Sequence, residues 1–239
     1  YEKLKLFEFK LENSSEFWLA QKNFYVITRY NHSKLYAMAV YQLAQKIKEY
    51  KEFRDQLDIR LIEFVTQLGF NPIPVPNFKK KNKADLISLL KWLKIIKPSG
   101  IILSGGDDIG KFKYRDQNEI KLLQWSVEKK IPLIGICRGM QLIGQCHNVK
   151  LKKIKNHVGT RHYIVSTKKN QKKRKVNSFH NYALSKCPKK FNVIYKSLDG
   201  IIESIESRSK KIYACMWHPE RESSFKRNDI LKFKSFFLK

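Results

Sequence analysis

Long apolar runs are absent from this 239-residue chain: none approaches the ~20 residues that a helix needs to cross a bilayer. The first residues also lack the apolar stretch and small-residue cleavage site of a secretory leader, so the chain reads as soluble and cytoplasmic. Cysteine is scarce, with 4 residues (Cys137, Cys146, Cys187, Cys215) and no CxxC pair. That argues against a disulfide framework and a zinc site, and reduced thiols are expected. Acidic residues are few, 21 against 49 Lys and Arg, for a formal charge of +28. Such a balance by itself suggests an acidic partner. The lysines are spread along the whole chain beside abundant Asn, Ile, Phe and Tyr, the mixture an A/T-rich coding sequence produces, so nucleic acid is not expected. The densest run, "KKNQKKRK" at 168–175, reads as a solvated loop. No internal repeat is present. The chain opens on Tyr1 rather than methionine, so an initiator, with or without further upstream residues, is expected ahead of it.

What is present is enough apolar side chain, 42% of residues, to fill the core of one large α/β domain or two small ones. Residues 1–23 show no sustained period and read as an extension. The domain opens at "FYVIT", 24–28, a buried-strand pattern, followed by an amphipathic helix or inserted lid at about 33–52 with Ser33 as its cap. A second helical period over 55–70 stops at Gly69, where a left-handed cap is cheap. Further on come a helix at 84–96, the strand "GIILS" at 100–104, the loop "GGDDIG", a helix at 116–130, the strand "PLIGI" at 132–136 and a helix from 138. Strands alternating with helices of ten to fifteen residues predict a mostly parallel sheet with helices on both faces. Its ligand crevice lies beyond the carboxyl ends of the strands. The last third, with strand-like runs at 161–166, 191–197, 200–205 and 211–216, predicts antiparallel additions before a closing helix from about 228.

"GICRG", 135–139, has the G-x-nucleophile-x-G spacing of a nucleophile elbow. A sharp strand-to-helix turn would hold Cys137 in a strained conformation, and the flanking glycines would admit close neighbours. At a helix amino terminus the thiolate is favoured, and the backbone N–H of Arg138 could receive developing negative charge. The competing reading is a buried structural cysteine that packs as a small hydrophobe. "MWHPERE", 216–222, favours the first. His218 follows a strand-like run and Glu220 is placed to orient its ring, giving nucleophile, base and orienter.

"GICRGMQ", with "SGGDDIG" upstream and "WHPE" downstream, resembles the class I glutamine amidotransferase superfamily. Within it the chain is most similar to the γ-glutamyl hydrolase branch of γ-glutamyl-γ-aminobutyrate and γ-glutamyl-CDP-amidate hydrolases. The resemblance runs from about residue 24 to the end. It implies a flavodoxin-like fold, Cys137 as nucleophile, His218 as general base and acid, and Glu220 as its holder. It also implies an oxyanion hole from the backbone of Gly106 and Arg138, a glutamyl contact at Gln141, and substrate contacts at His180 and Asn181 within "VNSFHNYAL". Residues 24–239 would form the hydrolase domain. The helical insertion at about 33–52 and the extension before 24 match no part of the family pattern.

Arg138 and Arg115 are cations near the rim that could meet a substrate carboxylate or phosphate, although Arg115 also fits an ordinary surface arginine. Asp107 and Asp108 read as turn residues. His157 and His162 remain open, and no metal or cofactor is expected. The function expected is cleavage of a γ-glutamyl amide or amidate through a glutamyl-thioester, on a small and possibly nucleotide-linked substrate. The alternatives are a glutaminase supplying ammonia to a synthetase and a non-catalytic basic nucleic-acid-binding protein. Partners compatible with these readings are a second copy of the chain, a synthetase or a nucleotidyltransferase. No membrane partner is expected.

Overall fold

The computed structural model describes residues 5–10, 15–20, 58–75, 83–168 and 173–238. They belong to two units, Tyr1–Asp55 and Gln56–Lys239. In the first unit Lys5–Lys10 (β1) and Ser15–Ala20 (β2) pair antiparallel, with Lys5 opposite Ala20. The strand expected at 24–28, the helix expected over 33–52 and the domain boundary at 24 lie outside the described residues.

The second unit begins with helices α1 (Ile59–Gln67) and α2 (Lys83–Ile96). Then come β3 (Ile101–Leu103), α3 (Lys113–Lys129), β4 (Leu133–Ile136) and α4 (Arg138–Cys146). The antiparallel third contains β5 (Leu151–Lys153), β6 (Val158–Ser166), β7 (Arg174–Phe179), β8 (Tyr182–Leu184), β9 (Asn192–Ser197) and β10 (Ile202–Ser207). Strand β11 (Ile212–Cys215) and helix α5 (Arg227–Phe237) close the chain.

Seven of these strands form one sheet in the order β3-β4-β11-β10-β9-β6-β7. The β3, β4 and β11 pairings are parallel, and the remainder are antiparallel. Strand β4 is buried along its whole length, which is why it reads as a continuous apolar run rather than an alternation. Its successive side chains still face opposite ways. Leu133 joins Leu89, Leu93, Leu122, Leu123 and Met140 from α2, α3 and α4. Ile134 and Ile136 instead join Leu61, Phe64, Phe233 and Phe236 from α1 and α5. Helices therefore cover both faces.

The first helix shows how local chemistry sets its ends. The Asp58 side chain accepts a hydrogen bond from the Arg60 N–H at 2.9 Å, satisfying one of the free donors of the first turn. Gly69, at φ +89°, takes the left-handed position after the last turn. The expected start at 55 is shortened to 59.

The consequence for function is positional. The carboxyl ends of the three parallel strands carry Ser104-Gly105-Gly106, Cys137 and Met216-Trp217-His218 on one rim.

Candidate active site

Cys137 stands between β4 and α4 at φ 49°, ψ −101°, a conformation L-residues avoid. Neighbouring groups hold it there. Its N–H donates to the Cys215 carbonyl at 2.7 Å, and its own carbonyl accepts from the Gln141 N–H at 3.1 Å. The turn can be this tight only with glycine on either side. A Cβ on Gly139 would lie 2.2 Å from the Leu103 carbonyl oxygen, and one on Gly135 would lie 2.8 Å from the Gly139 carbonyl carbon.

The thiol is 5% exposed. Burial pushes its pKa up to about 12, with Glu220 and Glu203 adding to the rise; a hydrogen bond from the Arg138 N–H and the Arg221 charge oppose it. This corrects the expectation of a resting thiolate. Removing the sulfur from water outweighs the helix amino terminus, and the proton stays on sulfur at neutral pH.

His218 follows β11. Its Nδ1 lies 2.6 Å from Glu220 Oε1, and both side chains are buried. A buried carboxylate at Nδ1 selects the tautomer with the proton on Nδ1, which leaves Nε2 as the acceptor. The ring lies over Gly105, where a Cβ would come within 2.4 Å of His218 Cε1. The ring edge also meets Phe179 at 5.8 Å between centroids.

Asn177 on β7 clamps the histidine's backbone. Its Oδ1 accepts from the His218 N–H at 2.8 Å, and its Nδ2 donates to the His218 carbonyl at 2.7 Å and to Glu222 Oε1 at 3.0 Å. Arg161 Nη2 holds the same carboxylate at 3.0 Å. Asn177 lies inside "VNSFHNYAL", but a lone buried asparagine is invisible until its partners are known.

Arg138 departs from expectation. Its side chain is 2% exposed and donates to Asp116 and Glu119 of α3, so it does not face a substrate; only its backbone N–H points to the thiol. Arg115 is likewise committed. Its Nε donates to Glu119 Oε1 at 2.8 Å, and its Nη2 donates to the carbonyls of Ser104 and Gly105 at 3.1 and 2.9 Å. Asp116 Oδ2 accepts from the Gly110 N–H at 2.8 Å. One face of α3 thus ties the glycine loop to the elbow. Gly106, at φ +147°, holds a backbone conformation that strains any L side chain, and a Cβ there would also push on Arg115 Nη1 at 2.3 Å.

Replacing Arg138 by methionine removes the buried cation from two carboxylates, leaving Asp116 with the Gly110 N–H and Glu119 with Arg115. The expected loss is about 3–5 kcal/mol of unfolding free energy, measured by urea denaturation. A change below about 1 kcal/mol would show that the network carries little.

Gln141 is buried and donates from Nε2 to the Tyr182 carbonyl at 3.1 Å. His180 is also buried, with Nδ1 3.0 Å from the same carbonyl. Asn181 is exposed, and its carbonyl accepts from the Ile154 N–H at 2.9 Å. Of the basic run, Arg174 is occupied by Asp229 at 2.7 Å and lies 4.8 Å over the Trp217 ring.

With the geometry in place, comparison with known proteins decides the family. The model of the family "Glutamine amidotransferase class-I" matches residues 50–238. The chain belongs to this family. It is accordingly an enzyme that acts on C–N bonds. A second model, "Transglycosylase SLT domain", matches residues 2–45, outside the unit that carries the glutamine amidotransferase site.

Among relatives, a γ-glutamyl-CDP-amidate hydrolase of Campylobacter jejuni is 36% identical over 138 residues, 55% of this chain and 67% of that protein. A glutamine-hydrolyzing GMP synthase of Streptococcus pyogenes is 34% identical over 151 residues, 59% of this chain but 28% of the synthase. A solved Thermoplasma acidophilum protein, described as one subunit of a GMP synthase, superposes with TM-score 0.61 at 20% identity. It covers 78% of this chain and 90% of its own, and it supports the class I glutamine amidotransferase fold. No helix among the described residues is long and apolar enough to cross a membrane.

Proposed function

We propose that this chain hydrolyses a γ-glutamyl amide or amidate through a glutamyl-thioester on Cys137, with His218 as general base and acid and Glu220 as its orienter. The observation that carries the reading is the buried His218–Glu220 pair, 2.6 Å apart, at the end of the parallel strand beside the one that ends in Cys137. Family membership and the γ-glutamyl-CDP-amidate hydrolase relative support the bond type.

The steps follow from the groups present. His218 Nε2 takes the thiol proton as Sγ attacks the γ-carbonyl carbon. The oxyanion is received by the backbone N–H groups of Arg138 and Gly106. Imidazolium, balanced by Glu220, returns the proton to the departing nitrogen as the C–N bond breaks, leaving the thioester. Water then gives its proton to His218 Nε2 and attacks the thioester; glutamate leaves and sulfur recovers its proton. Because the resting sulfur is protonated, the thiolate exists only when the base is engaged.

Gln141, His180 and Asn181 stay proposed as substrate contacts through local adjustment. Arg115 and the Arg138 side chain do not, since their partners are internal. A nucleotide-linked substrate is the favoured class, on the Campylobacter jejuni relative.

A second reading, a glutaminase that passes ammonia to a synthetase partner, is favoured by the similarity to part of GMP synthase. Incubating the protein alone with glutamine and a panel of γ-glutamyl amides, while following glutamate and ammonia, separates the two. The proposal expects rapid glutamate release from a γ-glutamyl amide and slow release from glutamine. Activity on glutamine alone would overturn it in favour of the glutaminase.

A further inference from the structure

A second cluster surrounds Glu203, and of its residues the proposed reaction uses only His180, as a substrate contact. Glu203 on β10 is completely buried, and neither of its carboxylate oxygens has a hydrogen-bond partner among the described residues. Three imidazole nitrogens face its Oε1: His157 Nδ1 at 3.4 Å, His162 Nε2 at 3.3 Å and His180 Nε2 at 3.6 Å. All three of those nitrogens are also without a hydrogen bond among the described residues.

The remote nitrogens explain which atoms face inward. His157 Nε2 lies 2.9 Å from Asp199 Oδ2, and His180 Nδ1 lies 3.0 Å from the Tyr182 carbonyl. Both acceptors call for N–H donors, which in the neutral rings puts the lone pairs on His157 Nδ1 and His180 Nε2, aimed at a carboxylate oxygen. Lone pairs facing a carboxylate repel it unless a cation, either a proton on the ring or a metal ion, stands between them. Imidazoles that donate one N–H to a carboxylate or carbonyl and turn the other nitrogen inward have the arrangement of metal ligands.

Distance separates a metal ion from a proton. A charge-assisted N–H···O bond is about 2.7–2.9 Å long, and all three contacts exceed that. Ligands about 2.0–2.1 Å from a tetrahedral ion lie about 3.3–3.4 Å from one another, which matches the His157 and His162 contacts to Glu203 at 3.4 and 3.3 Å. The ligating atoms of His157, His162 and Glu203 lie within 4.8 Å of one another.

We propose that His157, His162 and Glu203 form a largely buried site for a divalent transition metal, Zn2+ by ligand chemistry. Imidazole with a single carboxylate suits zinc rather than magnesium or calcium, and three protein ligands leave the fourth position to water. The ion joins β6 to β10, and β6 pairs with β7. That fixes the strand carrying Asn177, which clamps His218. No chain spacing announces it, because the ligands come from separate strands of the antiparallel third. The proposal stands independently of the reaction assigned to Cys137.

The test uses the full chain without a histidine tag and carrying Cys137→Ser, so that the thiol and His218 cannot bind metal together. After dialysis against ZnCl2, the protein should retain one zinc per chain by elemental analysis. His162→Gln, at the most exposed of the three positions, should weaken zinc binding by more than about 100-fold, beyond the loss typical of a supporting residue. Co2+ in place of zinc should give the intense visible bands of a tetrahedral site without a thiolate charge-transfer band, a readout that does not depend on any ligand variant folding. No retained zinc, undiminished binding by His162→Gln, or a weak octahedral Co2+ spectrum would each overturn the proposal.

Discussion

Cys137→Ala should lower glutamate release by about 10⁴- to 10⁶-fold, the range seen when a covalent nucleophile is removed, while unfolding changes little. The side chain removed is small, and the turn that presents it is held by backbone bonds to Cys215 and Gln141 that alanine keeps. On the proposed route sulfur forms the thioester, and alanine offers no nucleophile in its place. Steady-state kcat/KM together with thermal unfolding checks both halves. An active variant would refute the covalent route, and an unfolded one would leave Cys137 with the structural role that its burial also permits.

Glu220→Gln should lower kcat by about 10²- to 10⁴-fold with little change in KM, by analogy with the loss of the orienting carboxylate in other triads. The width of the range has a structural source. Glu220 Oε1 faces His218 Nδ1, whereas Oε2 is buried with no partner among the described residues. If the amide oxygen takes the Oε1 place, the tautomer survives and only the stabilising charge is lost. If the amide nitrogen takes it, the ring is forced to carry its proton on Nε2 and can no longer accept one.

The same substitution has an opposite effect on the thiol. The Glu220 charge is one of the groups that raise the Cys137 pKa to about 12, so removing it moves that pKa down. The thiolate fraction at a given alkaline pH therefore rises, and simple alkylation of Cys137 should quicken in the variant that turns over more slowly. Alkylation and turnover falling together would mean that Glu220 acts only through folding.

The parallel half was legible in the sequence because its strands are buried on both faces and its helices are amphipathic. Helices α3 and α4 and strands β3 and β4 fall within three residues of the expected bounds. The antiparallel half was less so. Strand β7 starts inside the basic run and buries Asn177 and Ser178, so its polar composition reads as a loop. The elbow at Cys137 was visible from its two glycines, but the surroundings of the sulfur were not. Desolvation depends on what packs around an atom, and here it reverses the expected direction of the thiol's shift. The fate of Arg138 was hidden for a similar reason. Asp116 and Glu119 share a helix face at a spacing of three, yet only folding brings that face against the elbow. The histidines at 157, 162 and 180 meet Glu203 through strand order alone.

The most direct measurement is peptide mass spectrometry after incubation with an electrophilic diazo ketone analogue of glutamine, which a γ-glutamyl site would deliver to its nucleophile. The account predicts a single adduct on the Cys137 peptide, prevented by excess γ-glutamyl substrate, with exposed Cys146 unmodified. Labelling of Cys146 or Cys187 in preference, or a fully active enzyme whose Cys137 never reacts, would contradict it.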